Sequence, residues 1–244
     1  MIRSEWKDDV LELTIDRVDK RNALSHSMYD TLTHEVQQAT ANVRCAAIIL
    51  SGSGGVFTAG ADIGDFQTKR NHQDSPAIRY IRTLMHTDVP VIAAVEGLAI
   101  GIGSTMLQHI DFVYTTEKTR FRMPFVQLGL CPEAGSSVLL SRIVGMRRAR
   151  EWLLQCKPFD GAEAFSAGFA TALTEPGNTL EMARATAQDL ARMPRYSLRQ
   201  SKALLRNRHL TALSQTVDEE VRTFNELLNT DETQSIFKAF LEKA

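Results

Sequence analysis

Twice in this chain a short apolar run ends, the backbone passes through glycine and other small residues, and helical spacing resumes. The first junction is IILSGSGGVFTAGADI, residues 48–63; the second is VIAAVEGLAIGIGSTM, residues 91–106. Small residues let two backbone segments approach closely, and the first turn of a helix presents N–H groups with no intrahelical acceptor and a positive dipole. Such groups converging on one point would make an oxyanion hole. They would also suit a phosphate. Neither junction ends in the Gly-Lys-Ser/Thr of a phosphate loop, and GIGSTM lacks the last glycine of a dinucleotide fingerprint. Tight packing alone also explains the small residues.

Around these junctions the pattern alternates strand and helix. VLELTID (10–16) has the two-residue period of a half-buried strand, and Ser25 is placed to cap a helix over 27–40. AAIILSG (46–52), PVIAAVEG (90–97) and IDFVYTT (110–116) read as buried strands, and TRFRMPF (119–125) as extended. SPAIRYIRTLMHT carries a helical stripe with Ser75 and Pro76 at its start. LAIGIGSTMLQH opens on glycines and closes as a helix. AGSSVLLSRIVG reads as a helix stopped by Gly145, followed by helices over 146–156 and 161–168 and a small strand in FATALTE. Beyond residue 178 only helical spacing remains, punctuated by Pro194, NRHL and NTDE. The chain thus divides into a strand–helix part, residues 1–195, and a helical part, residues 196–244, an α/β organisation without internal repeats.

Composition excludes several classes. With 43% apolar residues in 244 the chain can bury a full core, and a net charge of −1 leaves no electrostatic footprint for nucleic acid or anionic lipid. No run approaches the length of a membrane span, and MIRSEWKDDV lacks the apolar region of a signal peptide. The C-terminal FLEKA is not a peroxisomal address. Cys45, Cys131 and Cys156 are odd in number and lack metal-ligand spacing, and the six histidines show no ligating pattern, so neither a disulfide frame nor a metal is expected. The expected location is the cytoplasm.

Glu133 stands out in LGLCPEAGSS (128–137), an acid after proline among Leu, Gly, Ala and Ser. Three readings fit it: a surface turn residue, a cap for the helix that follows, or a proton carrier in an apolar pocket. Asp62 has the same ambiguity between capping and ligand contact. Glu96 and Asp111 read as structural hydrogen-bond partners, Cys131 as an inert thiol, and the MRRAR run as a solvated helix face.

FTAGADI (57–63), AAVEGLAIGIG (93–103) and LGLCPEAGSS, in that order, together with RVDKRNALS (17–25), resemble the crotonase, or enoyl-CoA hydratase/isomerase, superfamily over almost the whole chain. The resemblance implies a spiral of β-β-α units with a helical C-terminal trimerisation region, assembled as homotrimers or hexamers. It implies a CoA thioester as substrate, with no separate cofactor. The backbone N–H groups of Ala61 and Ile102 would form the oxyanion hole. Lys20, Ala23, Leu24, Ala59, Asp62 and Ile63 would bind CoA, and Lys243 would meet its phosphates.

Hydratases of that family carry two glutamates, and Thr105 and Phe125 occupy those positions here. With GIGST (101–105) and PEAGSS (132–137), the chain is similar instead to the peroxisome-type Δ3,Δ2-enoyl-CoA isomerase branch, which uses one glutamate at the place of Glu133. Shifting a double bond from C3–C4 to C2–C3 removes a proton from C2 and returns one at C4, which a single carboxylate can do. Phe125, Val126, Leu128 and Leu130 would wall that carboxylate in, and residues 64–85 would help shape the acyl pocket.

Overall fold

The computed structural model describes residues 1–66 and 74–241. Strands β1 (Ile2–Lys7), β2 (Val10–Ile15), β3 (Ala47–Gly52), β4 (Val91–Val95), β6 (Phe112–Thr115) and β9 (Ala172–Leu173) form one sheet in the order β1-β2-β3-β4-β6-β9. Only β1 and β2 are antiparallel; every other pairing in that sheet is parallel. A smaller sheet joins β5 (Leu98–Ile100), β7 (Arg120–Arg122) and β8 (Phe159–Asp160). The short apolar runs become buried parallel strands because helices cover both faces. Leu50, Val91, Ala93 and Val95 face the main core with α1 (His26–Ala41) and α2 (Pro76–His86). Ile49, Ile92, Ala94 and Tyr114 face Ala183 and Ala187 of α7 (Thr179–Ala191).

Ser75 caps α2 as its position predicts, accepting the Ile78 N–H, with Pro76 in the first turn. Ser25 stands at the start of α1 but makes no side-chain cap. The second junction is less helical than its spacing suggests. After β5 it forms one α-turn, α3 (Ile102–Thr105), then a 3-10 turn over Met106–His109. Two short helices follow Glu133, α4 (Ser136–Val144) and α5 (Met146–Leu154), and α6 (Gly161–Ser166) leads into β9. Strand β1 carries no apolar stripe to announce it. It is an exposed edge turned back onto β2 through Asp8, whose φ of 53° closes a two-residue hairpin.

The helical region also departs from expectation. NRHL does not interrupt it: α8 (Arg195–Leu228) is a single helix of 34 residues. Residues 207–210 contain no glycine or proline, and Arg206 secures that stretch by donating to the Thr87 carbonyl at 2.8 Å. The NTDE stretch does end it, and α9 (Asp231–Leu241) folds back beside the turn at Val126–Leu128. No described helix is long and apolar enough to cross a membrane.

Candidate active site

The two glycine-rich junctions lie side by side. Thr58 and Ala99 pair as a bridge, with Thr58 N–H donating to Leu98 O at 3.0 Å and Ile100 N–H to Thr58 O at 3.1 Å. A Cβ on Gly60 would sit 2.5 Å from Ile100 O, and one on Gly103 would sit 2.5 Å from Thr58 Cγ2, so only glycine permits this approach. On its other side the first junction pairs with the RNAL stretch. Leu24 N–H donates to Gly60 O at 2.8 Å and accepts through its carbonyl from Asp62 N–H at 2.9 Å. That parallel pairing uses residues 60 and 62, so the Ala61 N–H faces away from Leu24. Ile102 is the first residue of α3, where an N–H has no intrahelical acceptor. Among the described residues neither N–H donates to a protein acceptor.

Ala61, Ile102 and Glu133 line one cavity of about 790 Å³. Leu24, Ala59, Ile63, Phe125 and Leu130 line it as well. Of residues 64–85, Ser75, Ala77 and Ile78 take part, while 67–73 lie outside the described residues. Four expectations are not met by this cavity. Lys20 is exposed and Ala23 half-buried, both beside it rather than on its wall. Asp62 is engaged elsewhere: its carboxylate pairs with Arg17 at 2.7 Å and accepts the Gly64 N–H at 3.1 Å. Burial alone would raise its pKa, but the Arg17 hydrogen bond, Gly64 N–H and nearby positive charge hold it below the ordinary value. Val126 points to solvent instead of walling in the acid. Lys243 lies outside the described residues.

Glu133 is 8% exposed, which removes the surface-turn reading. It does not cap α4 through its side chain. The helix starts at Gly135, in the left-handed region at φ 74°, and its amides are taken by Glu220 of α8. Glu220 accepts from Gly135 N–H at 2.6 Å, Ser137 N–H at 2.9 Å and the Ser137 hydroxyl at 2.6 Å. Glu133 instead accepts from Oγ1 of the fully buried Thr105 at 2.8 Å. His109 Nε2 bonds the Ala134 carbonyl at 2.8 Å; a carbonyl only accepts, so Nε2 carries the proton. Ala134 has a φ of 60°, an uncommon backbone for alanine, and this turn faces the acid into the cavity.

Sequence reasoning missed much of the far wall. Val221, Phe224 and Asn225 of α8 and Ile236 and Phe237 of α9 line the cavity, with His26 and Tyr29 of α1 and Arg122 of β7. It also missed the knot at Asn22. This fully buried side chain accepts from Arg17 N–H at 2.8 Å and donates to Ser53 O and Val56 O at 2.9 and 2.6 Å. The RNAL motif was the available signal. Cys131 is no nucleophile: burial pushes its thiol up to about 11, with the nearby charges of Glu220 and Glu133 adding to the effect. Glu96 and Asp111 are structural, as their positions suggest. Glu96 accepts from Gly177 N–H and the Thr179 hydroxyl, and Asp111 from Val91 N–H and Lys202. The described residues hold no cluster of three His, Cys, Asp or Glu suited to a metal ion.

A family model described as enoyl-CoA hydratase/isomerase matches residues 5–244. The chain belongs to the enoyl-CoA hydratase/isomerase family. Its fold is the crotonase-like α/β fold with mixed sheets and a C-terminal helical region. The solved structure of Pseudomonas aeruginosa OdaA superposes with a TM-score of 0.95 at 36% identity over 98% of each chain. The 2,3-dehydroadipyl-CoA hydratase of Escherichia coli K12 is 30% identical over 96% of this chain and 92% of its own length. Enoyl-CoA delta isomerase 2 of Rattus norvegicus is 27% identical over 96% of this chain and 61% of its own. Hydratase is the commoner word among such relatives' names. This member of the enoyl-CoA hydratase/isomerase family is an acyl-CoA enzyme by kinship.

Proposed function

We propose that the chain is an enoyl-CoA delta isomerase, converting 3-enoyl-CoA to trans-2-enoyl-CoA. One observation carries the reading: among the described residues, Glu133 is the only carboxylate lining the cavity into which Ala61 and Ile102 open. Thr105 and Phe125 stand where the resemblance places the two glutamates with which hydratases activate water, and both are buried.

The thioester oxygen is held by the N–H groups of Ala61 and Ile102. Glu133 removes a proton from C2, and the electron pair spreads through the thioester as a dienolate. The same carboxyl group then returns a proton to C4, and the oxygen's charge is released. Each N–H donor lowers the barrier by about 2.7–4 kcal/mol, the scale of oxyanion-hole deletions elsewhere. The Thr105 hydroxyl donates to Oε1 of Glu133 and so helps to orient the carboxylate. The CoA thioester is the substrate and the reaction takes no further cofactor; we place the chain in a homotrimer or hexamer in the cytoplasm.

The names of the relatives favour hydration as the second reading. Purified protein offered 3-enoyl-CoA and, separately, trans-2-enoyl-CoA with water decides between them. Isomerisation of the first, abolished by Glu133→Gln, is the expected result. Accumulation of 3-hydroxyacyl-CoA from the second at a comparable rate would replace the isomerase by a hydratase. Tight binding without turnover of either would make the chain an acyl-CoA-binding module.

A further inference from the structure

On the α8 wall of the cavity, one residue is out of keeping with its neighbours. Val221, Phe224 and Asn225 of α8 face the cavity with Phe237 and Ile236 of α9, and the wall is apolar except at Asn225. Asn225 is 5% exposed. Its backbone carbonyl accepts from Asn229 Nδ2 at 2.8 Å, but its side-chain amide makes no hydrogen bond with any described residue. Asparagine is a poor residue for a helix interior, and nothing in the described packing offsets that cost. Its amide has no partner among the described residues and opens to the cavity, where water or a ligand must meet it. A residue that breaks a local rule without structural return marks a place where function sets the choice.

The position limits what the amide meets. The amide is set among Val221, Phe224, Ile236 and Phe237, and so apolar a stretch of wall suits an acyl chain better than the polar CoA portion. A hydrocarbon chain would displace water from the amide and leave both its donor and its acceptor unmet. A chain bearing a hydroxyl or carbonyl oxygen would meet it. Charged substituents fit less well, since among the described residues no cation on this wall accompanies the amide.

We propose that Asn225 makes the cavity selective for acyl-CoA thioesters whose chain carries a neutral hydrogen-bonding substituent, a hydroxyl or carbonyl, over plain hydrocarbon chains of equal length. The proposal deepens the isomerase reading by naming its substrate class, and it rests on that reading for the placement of the acyl chain.

The test uses binding, so it does not require turnover. Hexanoyl-, octanoyl- and decanoyl-CoA are titrated calorimetrically into the intact protein, each beside its series of mono-hydroxylated analogues along the chain. For at least one hydroxyl position the polar thioester is expected to bind about tenfold tighter, the value of one satisfied buried group. Asn225→Leu is expected to abolish or invert that preference while leaving plain-chain binding intact or improved. Asn225→Ala, which adds no bulk, guards against misfolding of the leucine variant and is expected to lose the preference as well. Equal affinities for plain and hydroxylated chains at every position, or a preference that survives both substitutions, would overturn the proposal. If the preference holds but 3-enoyl-CoA is not isomerised, the isomerase reading fails and the role of Asn225 stands.

Discussion

The Glu220 carboxylate accepts the N–H of Gly135 at 2.6 Å across eighty-five positions of chain, and so the long helix α8 holds the turn that presents Glu133. Glu220→Ala leaves the amides of Gly135 and Ser137 without an acceptor at a buried helix start. A loss of roughly 2–4 kcal/mol in urea unfolding is expected, with slower isomerisation as the turn relaxes. Glu220→Gln costs less, because its amide oxygen still accepts. Burial raises the Glu220 pKa above its ordinary 4.5, against the pull of the Ser137 and Gly135 donors. The folded state therefore holds a proton that the unfolded state has released, and stability falls as pH rises through that window. Glu220→Gln is expected to remove this fall.

Thr105 and Glu133 give a test of the acid itself. Thr105→Val keeps the volume and deletes the hydroxyl that donates to the carboxylate, whereas Thr105→Ser keeps it. A hydrogen bond to a charged group is worth about 1.5–3 kcal/mol. If it orients the proton carrier, kcat falls about tenfold to a hundredfold in Thr105→Val, with KM little changed and with activity retained in Thr105→Ser. A rise in KM at constant kcat would mean that Thr105 shapes the pocket instead.

Much of this was legible in the sequence, and the exceptions share a cause. Buried strands such as β3 and β4 announced themselves as apolar runs bounded by glycine, and α2 by its Ser75–Pro76 start. Glu133 was legible as an acid in apolar company, but its partner could not be read from spacing, because Glu220 arrives from another element. The docking face of α8 was hidden for a different reason. Its contacts with the core are made partly by cations: Arg199 donates to Thr40 O and Asn42 O at 2.8 and 2.6 Å, and Lys202 to Val89 O and Asp111 at 2.7 Å. Positions 195, 199, 202 and 206 follow a helical stripe, but reading for apolar periodicity passes over it. The cavity wall formed by Phe224, Asn225 and Phe237 depends on how α8 and α9 fold back, which no local pattern encodes.

His109 links acid stability to the same turn. Burial pushes its imidazole down to about 4 from the ordinary 6.5, against its bond to Ala134 O and with Lys202 adding to the shift. Between those values the unfolded chain binds a proton that the folded chain refuses, so stability declines as pH drops from about 6.5 to about 4. The decline amounts to roughly 2–3 kcal/mol. Thermal melts across that range should show it in the native protein. His109→Gln, which can still donate to a carbonyl but does not titrate, should flatten it.

The close approach of the two junctions allows a test by compensation. Gly103→Ala places a methyl 2.5 Å from Thr58 Cγ2, and Gly60→Ala places one 2.5 Å from the Ile100 carbonyl oxygen at a φ of 95°. Each is expected to lose about 2–5 kcal/mol from overpacking, with added backbone strain at Gly60, and to lower kcat by spreading the Ala61 and Ile102 amides. The two obstacles differ in kind. Thr58→Ser removes Cγ2 but keeps the hydroxyl that donates to Asn22 O and accepts from Gly60 N–H. The double variant Thr58→Ser/Gly103→Ala should therefore recover most of the lost stability and rate, since the next neighbour, Thr58 O, stands 3.3 Å away. Thr58→Ser should do nothing for Gly60→Ala, whose obstacle is main chain. Equal rescue of both, or of neither, in urea unfolding and initial-rate assays would show that the spacing of the two junctions is not what these glycines set.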